Sequence, residues 1–285
     1  MVMEKSQNLP TKLVSGSGVA RECMFCASQG TLEVEHVSPD WLQGVLEKIT
    51  GQKFIPDAYI EVTSSAEENG VIVRESKRPP YTAHEYPVVT YRGICGPCNR
   101  FMGVIQGRAK PILVPMIEGR PSTLSRDDLH TITLWSAMTM ITLHARNNAQ
   151  PAIPRDIRYA FRQHLTIPPQ FAVFAACVER TPILHSWRPL DNHWREKSEN
   201  LHFNFTTSTF HMNTLVLQAV RVIKPEPREQ GMSVKYNTQW ERLIYPFPDE
   251  FFWPPQYSLT NEEMLMQYAK RMFRPSSKKQ DSPSR

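Results

Sequence analysis

The chain lacks any apolar run long enough to cross a bilayer. Its longest apolar-looking stretch, Thr131 to Leu143, is short and broken by threonines, against the roughly 20 residues that a spanning helix needs. No apolar segment follows a basic start, so no secretory signal is visible and the expected location is the cytoplasm. Cysteine is scarce: five in 285 residues, which does not suggest a secreted disulfide framework. Charge of one sign is scarce as well. Lys and Arg number 33 against 28 Asp and Glu, a formal charge of +5. Much of that excess is terminal, with six basic and three acidic residues from Asn261 to Arg285. Bulk charge therefore permits nucleic-acid binding without arguing for it. No internal repeat is present.

What is present is ordered punctuation. Residues 1–20 are polar and contain Ser15-Gly16-Ser17-Gly18, a flexible arm; residues 275–285 read as a disordered basic tail. A knuckle is expected from Glu22 to Gly30, then a strand over the alternating Leu32–Val37. Ser38-Pro39-Asp40 opens a helix, with serine as cap and proline in the first turn, and Gly51 ends it. Residues 52–85 are polar and turn-rich, an insertion with short strand candidates at Tyr59–Val62 and Val71–Val73. Val88–Ile94 is a second strand, and a helix runs from about Pro97 to Lys110. After Gly119-Arg120-Pro121, a capping-box-like Ser125 and Asp128 start a helix to about Arg146. Pro154 opens another, to Leu165. Strands are expected over Phe171–Val178, Leu201–Phe205, Asn213–Val222 and Arg242–Tyr245, and a last helix over Asn261–Met272. The second half, 121–274, carries no recognisable catalytic pattern.

Four of the cysteines form two pairs, Cys23-x-x-Cys26 and Cys95-x-x-Cys98. Each short pair turns tightly enough to present two sulfurs to one ion, and two such pairs make a tetrahedral thiolate site for zinc. The long gap between them costs little, because loop-closure entropy grows only logarithmically. Four thiolates leave no position for water, so this zinc is structural. It staples a motif with little core of its own. Cys177, in an apolar strand, reads as buried and inert.

Between the pairs stands Glu35-His36, and directly after the second pair stands Asn99. Hydrolysis of a phosphodiester needs a base for water and a hard cation for the phosphate charge; histidine suits the first role, and carboxylate and amide oxygens suit a cation in the second. Neighbours on a strand point to opposite faces, so Glu35 and His36 share a site only where the strand end is irregular. Asn99 in the first helical turn is held near that strand by the zinc staple. The bland readings are a structural His36, a surface carboxylate at Glu35 and an N-cap at Asn99.

The layout C-x-x-C, then Glu-His, then C-x-x-C-Asn resembles the zinc-containing HNH endonucleases. It is most similar to a bacterial and phage subgroup with a Glu-His-Val-x-Pro-x-Trp-Leu string, here Glu35 to Leu42. The similarity extends through Lys110-Pro111, Gly119, Leu129–Trp135 and Trp253-Pro254-Pro255, although the specific motifs end near residue 110. The resemblance implies a ββα-metal (HNH) domain over 21–120. With the helices and strands read above, the whole is expected to be α+β, the HNH domain being followed by an α+β accessory domain over 121–274 with two helices, an antiparallel sheet and a C-terminal helix. It implies that His36 is the general base and that Glu35 and Asn99 ligate a catalytic Mg²⁺ or Mn²⁺. The partner would be nucleic acid, duplex DNA above all, with residues 121–274 free for a homodimer or protein partner. Arg92, Arg100, Arg108 and Lys110 flank the motif as candidate phosphate contacts, against the reading of a solvated face.

Two departures stand out. The family's middle asparagine, which orients the base histidine, has no counterpart in Tyr86–Arg92, leaving Thr90, Tyr91 or a backbone carbonyl for that task. A further ligand histidine one turn after Asn99 is replaced by Gly103. His84 belongs to the insertion, and His185, His193, His202 and His211 are too dispersed for a second metal site. The alternative to a nuclease is thus a catalytically silent, zinc-stapled module that binds nucleic acid or a partner.

Overall fold

The computed structural model describes residues 22–36, 39–51, 53–55, 62–68, 71–77, 85–87, 90–147, 153–179, 185–196, 201–224 and 241–260, with Met264 and Tyr268. In chain order the elements of the first half are β1 (Leu32–His36), α1 (Asp40–Thr50), β2 (Lys53–Ile55), β3 (Val62–Glu68), β4 (Val71–Lys77), β5 (Glu85–Pro87), β6 (Thr90–Cys95) and α2 (Gly96–Ile117). The second half holds β7 (Ser122–Thr123), α3 (Arg126–Asn147), α4 (Arg155–His164), β8 (Phe171–Cys177), β9 (His185–Glu196), β10 (Leu201–Met212), β11 (Leu215–Lys224), β12 (Glu241–Tyr245) and β13 (Phe252–Trp253). The protein is α+β. Strands β1 and β6 form an antiparallel pair, and a five-stranded antiparallel sheet has the order β12-β8-β11-β10-β9. The insertion holds the antiparallel β3-β4 pair, and β2, at its start, pairs in parallel with β5, which runs past its expected end at residue 85.

The apolar run at 131–143 is the middle of a buried helix. Every residue of α3 from Ile132 to His144 is buried. Its threonines are tolerated there because their hydroxyls donate to carbonyls four residues back: Thr133 to Leu129 (2.8 Å), Thr139 to Trp135 (2.8 Å) and Thr142 to Met138 (3.0 Å). The expected capping box forms, with Ser125 N–H donating to Asp128 Oδ2 at 2.9 Å and Asp128 N–H to Ser125 Oγ at 3.2 Å. No helix among the described residues is long and apolar enough to cross a membrane.

Three expectations are corrected. Helix α2 continues past Lys110 to Ile117, with Pro111 and Pro115 inside it. A mid-helix proline costs about 3 kcal/mol. Here that cost is offset by burial of Leu113, Met116 and Ile117 and by distant partners for the last carbonyls. Asn213 Nδ2 donates to Ile117 O at 2.6 Å, Thr214 Oγ1 to the same oxygen at 2.9 Å, and Trp253 Nε1 to Met116 O at 3.2 Å. Strand β9 went unpredicted because Pro189, Asp191 and Asn192 oppose it; it lies at the sheet edge, where proline is tolerated. Strand β10 runs to Met212 rather than stopping at Phe205. Ser38, Val37, Tyr59 and most of the expected C-terminal helix lie outside the described residues, as do both termini and His84.

One buried cluster runs from Phe25 in the knuckle through Leu42 and Leu46 of α1, Met102 and Ile105 of α2, Trp135 of α3 and Phe161 of α4 to Phe210 and Leu217 of the sheet. Helix α2 packs against α3 as well as β1 and β6. The knuckle-bearing unit and the large sheet therefore share a core.

His211 is buried in that sheet. Its Nε2 donates to Asn213 O at 2.8 Å, while Nδ1 is buried with no partner among the described residues. Burial pulls its pKa down to about 4 against the Asn213 bond. Above pH 6.5 the ring is neutral in folded and unfolded chain alike. As pH falls below 6.5, the unfolded chain takes a proton that the folded one refuses until about 4. Urea melts across that window are expected to show a loss approaching about 3 kcal/mol. His211→Gln, which keeps a donor, removes that part of the slope; an unchanged slope would assign it to other groups.

Candidate metal centre

A tight knuckle presents the first cysteine pair. Cys23 N–H donates to Ser28 O (2.9 Å), and Ala27 N–H donates to Cys23 O (2.8 Å) with Ala27 in the left-handed region at φ 58. The knuckle docks onto β6 through a bulge. Glu33 pairs with Ile94 but Val34 pairs with Arg92, so Gly93 is left over, and its carbonyl accepts Met24 N–H at 2.9 Å. Cys95 ends β6 and occupies the N-cap of α2; Cys98 lies in the helix's first turn.

These elements bring all four sulfurs within 4.8 Å of one another. Cys26 Sγ and Cys95 Sγ are 3.6 Å apart. Tetrahedral zinc with Zn–S bonds of about 2.3 Å separates its sulfurs by about 3.8 Å, so the cluster has the size and the soft donor set that zinc takes. A hydrogen bond from the Cys98 thiol pulls Cys23 down to about 4 against burial, and the same pairing together with burial pushes Cys98 up. Cys26 is also lowered: burial opposes ionisation, but bonds to Ser28, Cys95 and Cys98 outweigh it. The sulfurs thus share protons, which a bound zinc would displace. Burial raises Cys177, which lies outside this cluster.

Arg162 of α4 was not picked out from the sequence. Its Nε donates to Cys98 Sγ at 3.4 Å, and its guanidinium lies 4.5 Å over the Phe101 ring. Phe101 in turn meets Phe161 edge-on at 5.9 Å. The contact would steady Cys98 as a thiolate ligand from a helix 64 residues away; no sequence signal marks it, since an arginine on an amphipathic helix ordinarily faces solvent.

The expected catalytic residues lie beside this cluster, on β1 and α2. Glu33 and Glu35, two apart on β1, face α2. Asn99 Nδ2 donates to Glu33 Oε2 at 2.8 Å, and Gln106 Nε2 reaches Glu35 Oε1 at 3.4 Å. Asn99 therefore meets Glu33, a residue not singled out before, rather than Glu35, and the N-cap itself is Cys95. Glu33 also sits over the start of α2, where negative charge is favourable; a Cβ on Gly96 would come within 2.7 Å of its Oε1 and would push the flexible carboxylate aside. Glu35 is half-buried, and burial raises its pKa; the Gln106 bond and His36 pull it back, while Asp40 and Glu33 add to the rise. His36, the last residue of β1, places Nδ1 against Asp40 Oδ1 in the first turn of α1.

Arg100, Arg108 and Lys110 are exposed on α2. Arg100 and Arg108 are about 80° apart around the helix, so they do not form one line. Arg92 stands on β6 opposite Val34.

Comparison of the chain with family models, curated proteins and solved structures gives no match in any of the three. The fold and site define an α+β protein with a four-cysteine cluster compatible with structural zinc.

Proposed function

We propose that this chain is a metal-dependent endonuclease of the HNH, ββα-metal kind, hydrolysing phosphodiester bonds of DNA. One observation carries the reading: a cysteine-pinned unit of two strands and a helix ends its first strand at Glu35-His36 and carries Cys98-Asn99 in the first turn of its helix, with a Glu33–Asn99 bond between strand and helix. A pure binding module has no need of a base beside a half-buried carboxylate. Asn99 donates through its amide nitrogen, which leaves Oδ1 as an oxygen donor; with a Glu35 oxygen it would supply the hard donors that Mg²⁺ or Mn²⁺ takes. Such a cation, when bound, supplies positive charge to the phosphate. His36 Nε2 takes a proton from water as the water oxygen bonds to phosphorus. The P–O ester bond breaks, and the leaving oxygen collects a proton from solvent. Arg92, Arg100, Arg108 and Lys110 are proposed to hold the flanking phosphates.

Supercoiled plasmid incubated with the protein and Mg²⁺ tests the reading. Nicked or linear product is expected, abolished by EDTA at levels that leave zinc in place. Intact plasmid with both Mg²⁺ and Mn²⁺ overturns it in favour of a catalytically silent nucleic-acid-binding module. That second reading draws on the absence of an asparagine from Tyr86–Arg92.

Asn99 gives a separate expectation. Asn99→Asp should retain cleavage with Mn²⁺, because an oxygen donor remains, while Asn99→Ala should not. Equal cleavage by wild type and the alanine variant would remove Asn99 from the site and leave it as a partner of Glu33 alone.

A further inference from the structure

A base histidine works only if its ring is held, and no asparagine is available on β6 to hold this one. His36 pairs in register with Thr90, yet the group at its Nδ1 is the carboxylate of Asp40, four residues on. Pro39, buried and extended at the N-cap of α1, turns the chain so that Asp40 opens the helix facing back toward the end of β1. Leu42 and Leu46 anchor that helix in the core with no measurable exposure. The position of Asp40 is therefore set by a packed element rather than by a loop.

We propose that Asp40 is the positioning residue for His36 and does the work of the absent middle asparagine; this rests on the nuclease reading above. The Nδ1–H donates to Asp40 Oδ1, which fixes the ring plane and the tautomer and leaves Nε2 with its lone pair for the proton of water. The His36 side chain is 38% exposed and that of Asp40 77%. Water and substrate can thus reach the ring, and an amide at position 40 can rotate freely. Asp40→Asn therefore still offers an oxygen to Nδ1–H, whereas Asp40→Ala offers nothing. Both variants lose the carboxylate charge at the first turn of α1, so a merely helix-stabilising role affects them alike.

The test measures kcat and KM for plasmid nicking by wild type, Asp40→Ala and Asp40→Asn, with zinc content as a check on folding. Asp40→Ala is expected to lower kcat by at least about 10-fold with KM little changed, and Asp40→Asn to recover most of the loss. Side-chain ¹⁵N spectra, with the His36 signals identified by their absence in His36→Ala, should show the Nδ1–H tautomer in wild type and Asp40→Asn. In Asp40→Ala they should show the Nε2–H form. Equal slowing by both substitutions, or wild-type rates in Asp40→Ala, overturns the positioning role and leaves the nuclease intact. A wild type that cuts nothing overturns the nuclease reading instead. An Nδ1–H signal that persists in Asp40→Ala then removes Asp40 from the ring as well.

Discussion

His36→Ala is expected to slow plasmid cleavage by about 100-fold or more, the ordinary cost of losing a general base. A water that attacks phosphate gives up its proton to a group that is neutral near pH 7. Among the described residues of the cysteine-pinned unit, His36 is the histidine that stands beside the carboxylate Glu35. Glu35 is proposed as the cation ligand, not the base. Gln106 already engages one of its oxygens, which fixes the carboxylate in place. The substitution leaves the four thiols untouched, so zinc content, solubility and DNA binding should match wild type. Cleavage by His36→Ala at the wild-type rate would place the activity elsewhere in the chain or in a contaminant.

The second large effect is on folding. Purified protein should carry one zinc per chain, measured by elemental analysis, and Cys23→Ser and Cys98→Ser should each be insoluble or unfolded in the first 120 residues. A structural zinc contributes on the order of 10–16 kcal/mol in small motifs, comparable with the whole stability of a domain, about 5–15 kcal/mol. The sulfurs here are themselves part of the buried cluster that contains Phe25, Met102 and Phe161. Loss of one ligand therefore loosens a core shared with α3 and the large sheet. Cys177→Ser, outside the cluster, should cost only about 1–2 kcal/mol. Zinc-free protein from a chelator-free preparation that melts cooperatively would dismiss the metal centre.

Local chemistry made much of the fold legible. Ser125 and Asp128 announced the start of α3 within a residue, and Gly51 announced the end of α1, where it adopts a φ of 72. The expected strand over Phe171–Val178 is β8 to within one residue, because a fully buried strand is apolar throughout. Where the reading failed, a distant partner outweighed a local signal. A helix end is expected at about Lys110, yet α2 continues for seven more residues, because Asn213, Thr214 and Trp253 bond the carbonyls at its end. Polar β9 carries the proline and charged residues that an edge strand tolerates, so it does not read as a strand.

The same division holds at the site. The residue types and spacings of Cys23, Cys26, Cys95 and Cys98 were enough to expect a four-sulfur cluster, since each tight pair is a local turn that any fold must respect. Which side chains face one another around Glu35, His36 and Asn99 was not a local matter. It depends on a bulge at Gly93 and on the packing of α2 across β1, which give Asn99 to Glu33 and Gln106 to Glu35. It depends also on α1 being seated in the core, so that Asp40, a helix-opening residue in the sequence, meets the ring of His36. Ligand pairs within one turn are written in the sequence, because three residues cannot separate far. Contacts between elements are decided only when the core closes and each element takes the one orientation that buries its apolar side.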